Sequence, residues 1–176
     1  MIDIPSIRIA RHSDADAVGG VLLASYSNLL AGHYDRDLLD IALPFMTRAN
    51  PTLLCSGTYY VAESSAGRLV GCGGWSRERP GSGDTVEGEG HVRHFATHPE
   101  CLGRGIGRSL LARCFMDAQP LIRTLHCFST LTAQPFYRAC GFETVGPIDV
   151  PMGPTLKFPA ILMKRDLDPT PYSTKP

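Results

Sequence analysis

The 176-residue chain has no excess of charge: 17 lysines and arginines balance 17 aspartates and glutamates, for a formal net charge of +0 with histidine neutral. A nucleic acid or an anionic membrane would need a basic face to release counterions, so neither is expected as a partner. The chain also has no run of about 18 apolar residues, and its start, MIDIPSIRIARHSDAD, carries acidic residues where a secretory signal would be apolar. A soluble, cytoplasmic protein is expected. The six cysteines form no Cys-x-x-Cys pair and are too sparse for a secreted disulfide scaffold, so they are read as reduced. Cys72, Cys114, Cys127 and Cys140 fall in strand or helix patterns as small apolar groups, and Cys101 lies in a loop. Histidine and cysteine spacings fit no structural zinc site, and no metal is expected; His91 and His94, three apart in a strand pattern, should face opposite sides. No Gly-Lys-Ser/Thr closes a P-loop, no G-x-G-x-x-G follows a first strand, and no internal repeat is present.

What is present is Val92 to Ala118, VRHFATHPECLGRGIGRSLLARCFMDA, a strand pattern that runs through a glycine-rich turn into an amphipathic helix. Gly103, Gly105 and Gly107 remove Cβ atoms where backbone N–H groups would approach an anion, and the following helix leaves its first N–H groups unpaired. Such donors suit the oxygens of a diphosphate. Ile106, Leu110, Leu111, Cys114 and Phe115 recur at helical spacing as a buried stripe, with Arg104, Arg108 and Arg113 left for solvent.

Three blocks in order give the chain a family resemblance. LGRGIG at Leu102 to Gly107 resembles the diphosphate signature of the GCN5-related N-acetyltransferases, Arg/Gln-x-x-Gly-x-Gly/Ala, with Leu102 in the place of the usual Arg or Gln. TAQPFYRACGF at Thr132 to Phe142 is similar to the family's last helix, and LVGCGGW at Leu69 to Trp75 to its glycine-rich strand, so that the resemblance covers roughly residues 58 to 165. It implies a mixed, mostly antiparallel sheet flanked by helices, with two strands splayed at the cofactor site, and transfer of acetyl from acetyl-CoA to a primary amine by direct attack in a ternary complex. The acceptor would be a small-molecule or peptide amine, and a homodimer is left open. Phe95, Ala96 and Thr97 would meet the pantetheine arm, and Leu102, Gly103, Arg104, Gly105, Ile106, Gly107 and Arg108 the diphosphate. Tyr137, matching the family's Phe-Tyr pair with Phe136, would protonate the departing thiolate. His91 stands where some members carry a basic glutamate, and Glu89 is a second candidate beside it.

The rest of the pattern is an α/β or α+β order around one mixed sheet. Strands are expected at 7–10, 58–63, 68–75, 92–97, 123–129, 145–150 and 158–165, and helices from a Ser13 cap through about Leu29 and over 35–49, bent at Pro44. Residues 77–90, with Glu89, read as a surface loop; Thr132 and Gly141 read as the caps of the last helix. A single domain is expected over 1–166, with a polar tail over 167–176. Strand alternation puts His91, Arg93, Phe95 and Thr97 on one face and Val92, His94 and Ala96 on the other. His12, His33, His98, Glu100 and His126 are read as solvated or structural. Two other classes remain: an acyl-CoA-binding module without catalysis, which Tyr137 argues against, and a nucleotide or phosphotransfer domain, which lacks its lysine and magnesium ligands.

Overall fold

The architecture follows from the order of apolar strands and the glycines between them. The computed structural model describes residues 5–167, and the expected tail lies, from 168 onward, outside them. Seven strands form one sheet: β1 (Ser6–Ile9), β2 (Tyr59–Glu63), β3 (Leu69–Ser76), β4 (Glu89–Thr97), β5 (Thr124–Ser129), β6 (Glu143–Met152) and β7 (Leu156–Asp166), in the spatial order β1-β2-β3-β4-β5-β7-β6. Every pairing is antiparallel except β4 with β5. The helices are α1 (Ala15–Leu29), α2 (Arg36–Met46), α3 (Pro51–Leu54), α4 (Ile106–Ala118) and α5 (Gln134–Ala139). This is the mixed, mostly antiparallel sheet flanked by helices that the sequence led us to expect.

Two apolar layers hold the sheet. On one face, Ile106, Leu110, Leu111 and Cys114 of α4 pack with Val92, Leu125 and Met163 of the strands; on the other, Val18, Val21 and Leu22 of α1 pack with Leu53, Val61 and Cys72. Leu30, Leu39, Ala42 and Met46 extend the second layer over Phe158. The core reaches one residue into the expected tail, since Leu167 is buried and donates its N–H to the Arg123 carbonyl at 2.7 Å.

Several local expectations change. Ser13 is not the cap of α1: residues 12–14 form a 3-10 turn, and the Asp14 carboxylate takes the Arg11 N–H at 2.7 Å and the Arg8 guanidinium at 2.8 Å, tying β1 to the helix start. Asp35 caps α2 instead, accepting from the N–H groups of Asp37 and Leu38. Glu89 is the first residue of β4 rather than part of the loop. Thr132 leaves α5 uncapped because its hydroxyl lies 3.2 Å from that of Thr130, and the helix begins two residues later; Gly141, at φ +86°, ends it as expected.

The alternation along β4 also fails, at one residue. His94 has φ +43°, and the register shifts there so that His94 and Phe95 together stand opposite Gly73. This bulge turns the strand over. His91, Arg93 and Ala96 face α1, whereas Val92, Phe95 and Thr97 face α4, which corrects the expected grouping of Phe95 and Thr97 with His91. The glycine opposite makes this possible, because a Cβ on Gly73 would stand 2.3 Å from the Phe95 ring.

Candidate active site

The strands part where the parallel ladder stops. β4 pairs β5 only through Glu89 to His91 against Thr124 to His126; beyond that point Val92 to Thr97 has no β5 partner, while β5 continues along β7 to Ser129. The divergence opens a cleft of about 790 Å³ through the sheet. Its α4 side is lined by Phe95, Ala96 and Thr97 and by Leu102, Gly103, Gly105, Ile106, Gly107 and Arg108. Arg104 is turned aside, into a neighbouring hollow of about 300 Å³ that it shares with Arg68 and Glu100.

The glycine turn is built as a donor surface. Gly105 stands at the N-cap of α4 with φ +78°, and no side chain caps the helix. A Cβ on Gly105 would meet no protein atom within 4 Å, so the backbone is bare toward the cleft. Gly107 fits between Phe136 and Thr97, where a Cβ would stand 3.2 Å from the Phe136 ring and 3.5 Å from the Thr97 hydroxyl. The helix start therefore presents unpaired N–H groups and its positive dipole end, with Arg108 in the first turn, to one wall of the cleft. Leu102 keeps its backbone in the turn and its side chain half in solvent.

Tyr137 reaches the cleft from α5. It is buried, with its ring set edge-on to Phe136 at 5.1 Å and to Phe142 at 5.5 Å, and the Cys127 thiol beside its hydroxyl. Burial, with the Cys127 thiol next, holds the phenol pKa well above its ordinary value, so the hydroxyl keeps its proton. From the opposite face Tyr26 of α1 lines the same opening and donates its hydroxyl to the Phe95 carbonyl at 3.1 Å. The spacing of Tyr26 along α1 gives no sign of this contact in the sequence.

His91 and Glu89 lie at the closed end of the V rather than on the cleft wall. The His91 ring stacks on His126 at 5.4 Å and meets Phe128 edge-on at 6.1 Å, with Nδ1 buried and unpaired among the described residues. Glu89 Oε2 lies 3.3 Å from His126 Nε2. Burial, then the neighbouring His126, lowers the His91 pKa to about 4, and burial with Arg93 does the same for His94. Both side chains are therefore neutral at pH 7.

These two histidines make stability depend on pH with a definite sign. Each binds its proton at about pH 6.5 when unfolded and only at about 4 when folded, so the unfolded state takes up protons first as pH falls. The histidines' contribution to the melting temperature is expected to be lost between pH 6.5 and 4, and the Asp14 carboxylate, held low by the Arg8 guanidinium, carries the fall further below. His91→Gln should shallow the upper part of that fall; an unchanged slope would show that His91 titrates alike in both states.

Residues 55–144 match the family model of the acetyltransferase (GNAT) domain. The chain belongs to the GNAT acetyltransferase family. Among solved structures, a GCN5-related N-acetyltransferase of Rhodopseudomonas palustris has 18% identity and a TM-score of 0.73, over 95% of this chain and 99% of that one. The PaiA N-acetyltransferase of Thermoplasma acidophilum, solved with coenzyme A, has 16% identity and a TM-score of 0.66, over 92% and 98%. A GNAT acetyltransferase of Staphylococcus aureus has 20% identity and a TM-score of 0.66, over 93% and 99%. At these identities the likenesses establish the GNAT fold. No curated protein matches the chain in sequence.

Among the described residues of this GNAT protein, no helix is long and apolar enough to cross a membrane, and no three of His, Cys, Asp and Glu are grouped to hold a metal ion. Cys72, Cys114 and Cys127 are buried and unbridged; Cys101 and Cys140 are partly exposed, and Cys55 is at the surface.

Proposed function

We propose that this GNAT protein transfers an acetyl group from acetyl-CoA to a primary amine by direct attack in a ternary complex. The observation that supports this most strongly is the convergence on one cleft of an uncapped, Gly105-led helix terminus, an unpaired strand edge and a protonated tyrosine. The backbone of Leu102 to Gly107, with Arg108, holds the diphosphate of acetyl-CoA. Main-chain groups of Phe95 to Thr97 run along the pantetheine amides as an added strand would. When bound, acetyl-CoA supplies a thioester carbonyl at the opening of the V.

The residues then have separate tasks. The amine nitrogen forms its bond to the thioester carbon, the carbon–sulfur bond breaks, Tyr137 gives its proton to the leaving thiolate, and the amine proton passes to solvent. His91 and Glu89 are set back from the wall, and a histidine of pKa about 4 is a weak base, so water in the cleft takes that proton. The pH profile of kcat/KM should therefore rise with the pKa of the amine itself, without an inflection near 6.5.

Calorimetric titration with acetyl-CoA, coenzyme A and ATP tests the first half of this reading, and thiol release with an amine panel tests the second. Micromolar binding of both coenzyme A forms but not ATP is expected. Binding without turnover of any amine would favour an acyl-CoA-binding module; no binding would remove the assignment of the cradle.

A further inference from the structure

On the acceptor side the cleft is walled by Leu30, Phe45, Met46, Phe128, Met152 and Phe158. The aspartates of the α2 segment point elsewhere: Asp35 caps α2, and Asp37 and Asp40 lie on its exposed face. Among the described residues that line the whole cleft there is no aspartate, glutamate or lysine, and the charged ones are Arg93 and Arg108. Arg108 belongs to the cradle. Arg93 stands on the other face of β4, beyond the bulge.

Arg93 is a cation with no carboxylate in direct contact among the described residues. Its Nη1 donates to the Ser76 hydroxyl at 2.7 Å and to the Glu78 backbone carbonyl at 3.2 Å, both neutral oxygens, and it makes no ion pair among the described residues. Glu78 is exposed and meets Arg93 directly through its main chain, while its solvent-facing carboxylate acts on the guanidinium only through space. A second cation borders the same wall, since the Arg79 guanidinium lies 5.4 Å over the Phe128 ring. A partly buried guanidinium whose direct hydrogen bonds all go to neutral oxygens is left short of a close counter-charge, and a carboxylate that brings two acceptors to its planar fork supplies one. A polyamine or a lysine-rich peptide would instead add positive charge beside Arg93 with nothing in the cleft to receive it.

We propose that the acceptor is a small amine that also carries a carboxylate, such as an α-amino acid with an apolar side chain. Its carboxylate lies on Arg93, its apolar group among Leu30, Phe45, Met46 and Phe158, and its amino group at the opening of the V. This rests on the acetyl-CoA reading above. Arg93 is thus a specificity-determining residue of the acceptor half.

Matched substrates test it. L-phenylalanine and L-leucine are compared with phenethylamine and 3-methylbutylamine, which lack only the carboxylate, and with spermidine. Each is given with acetyl-CoA, followed by thiol release and by the mass of the N-acetyl product, and rates are referred to the unprotonated amine. At least one carboxylate-bearing member is expected to exceed its partner by about tenfold or more in kcat/KM, a ratio set by one charge-assisted contact, with spermidine below both. Arg93→Met should raise the KM for that member by a similar factor while acetyl-CoA affinity and melting temperature hold, and Arg93→Lys should recover part of the loss. Equal or faster turnover of phenethylamine or spermidine overturns the proposal, as does failure of every carboxylate-bearing member with a protein that binds acetyl-CoA. Loss of acetyl-CoA binding in the parent protein would fell the acetyl-CoA reading as well, so the two failures are distinguishable.

Discussion

Gly105→Glu should abolish acetyl-CoA binding, with affinity lowered by about a hundredfold or more, and leave the fold intact. The backbone at this position has φ +78°, which costs a residue with a Cβ roughly 1–2 kcal/mol. That strain is borne by a turn, and the new side chain has room, because a Cβ there meets nothing within 4 Å. The room it enters is the cleft, so the carboxylate projects where we place the diphosphate and turns an attractive helix terminus into a repulsive one. Gly105→Ala separates the contributions: it carries the strain without the charge or the length, and a smaller loss, of about tenfold, is expected. Calorimetry with acetyl-CoA gives both affinities, and thermal melting checks the fold. If Gly105→Glu binds as tightly as the parent, the diphosphate is held elsewhere.

The cradle was legible because its backbone demands are written in residue type. A chain that must adopt positive φ at Gly103 and Gly105 and then start a helix at Ile106 uses glycines in that spacing, and the following apolar stripe of Leu110, Leu111 and Cys114 can be counted along the sequence. Tyr137 was reached differently, through the resemblance of the Phe136-Tyr137 pair ahead of Gly141 to the family's last helix, and the fold brings it to the cleft wall. The bulge at His94 was not legible. Histidine tolerates positive φ without requiring it, and strict alternation is the natural reading of VRHFAT. The sign of it lay on the neighbouring strand, in Gly73, whose missing Cβ leaves the space that the Phe95 ring takes. A strand read by itself cannot reveal what its partner leaves out.

That one residue governs how the site is divided. Without the inversion at His94, Phe95 and Thr97 would point toward α1 with Arg93; with it, they face α4 and the cradle, while Arg93 stays with His91 on the acceptor side. The acceptor wall was the least legible part, since Phe45 of α2 meets Met152 and Phe158 of the distant β6–β7 hairpin only through the packing of α2 on that hairpin. The aspartates of α2, which could have lent the pocket a carboxylate, serve the helix start and its wet face.

Tyr137→Phe should lower kcat by about a hundredfold, the lower end of what a positioned general acid contributes, with acetyl-CoA affinity changed less than twofold. The substitution removes one oxygen and keeps the ring between Phe136 and Phe142, so the packing that positions α5 is retained. The parent hydroxyl is held protonated by burial, which moves its titration above the ordinary tyrosine range. The parent pH profile should therefore show no descending limb up to about pH 10, and the variant should lose rate by a constant factor across that range. Cys127 offers the control. Its thiol lies beside the Tyr137 hydroxyl and is pushed up to about 12 by burial, so it too stays protonated and could stand in as a poorer donor. If the residual rate of Tyr137→Phe falls further in Tyr137→Phe/Cys127→Ala while Cys127→Ala alone is near the parent, the proton comes from this corner of the cleft. A Tyr137→Phe rate equal to the parent's would instead assign thiolate protonation to water.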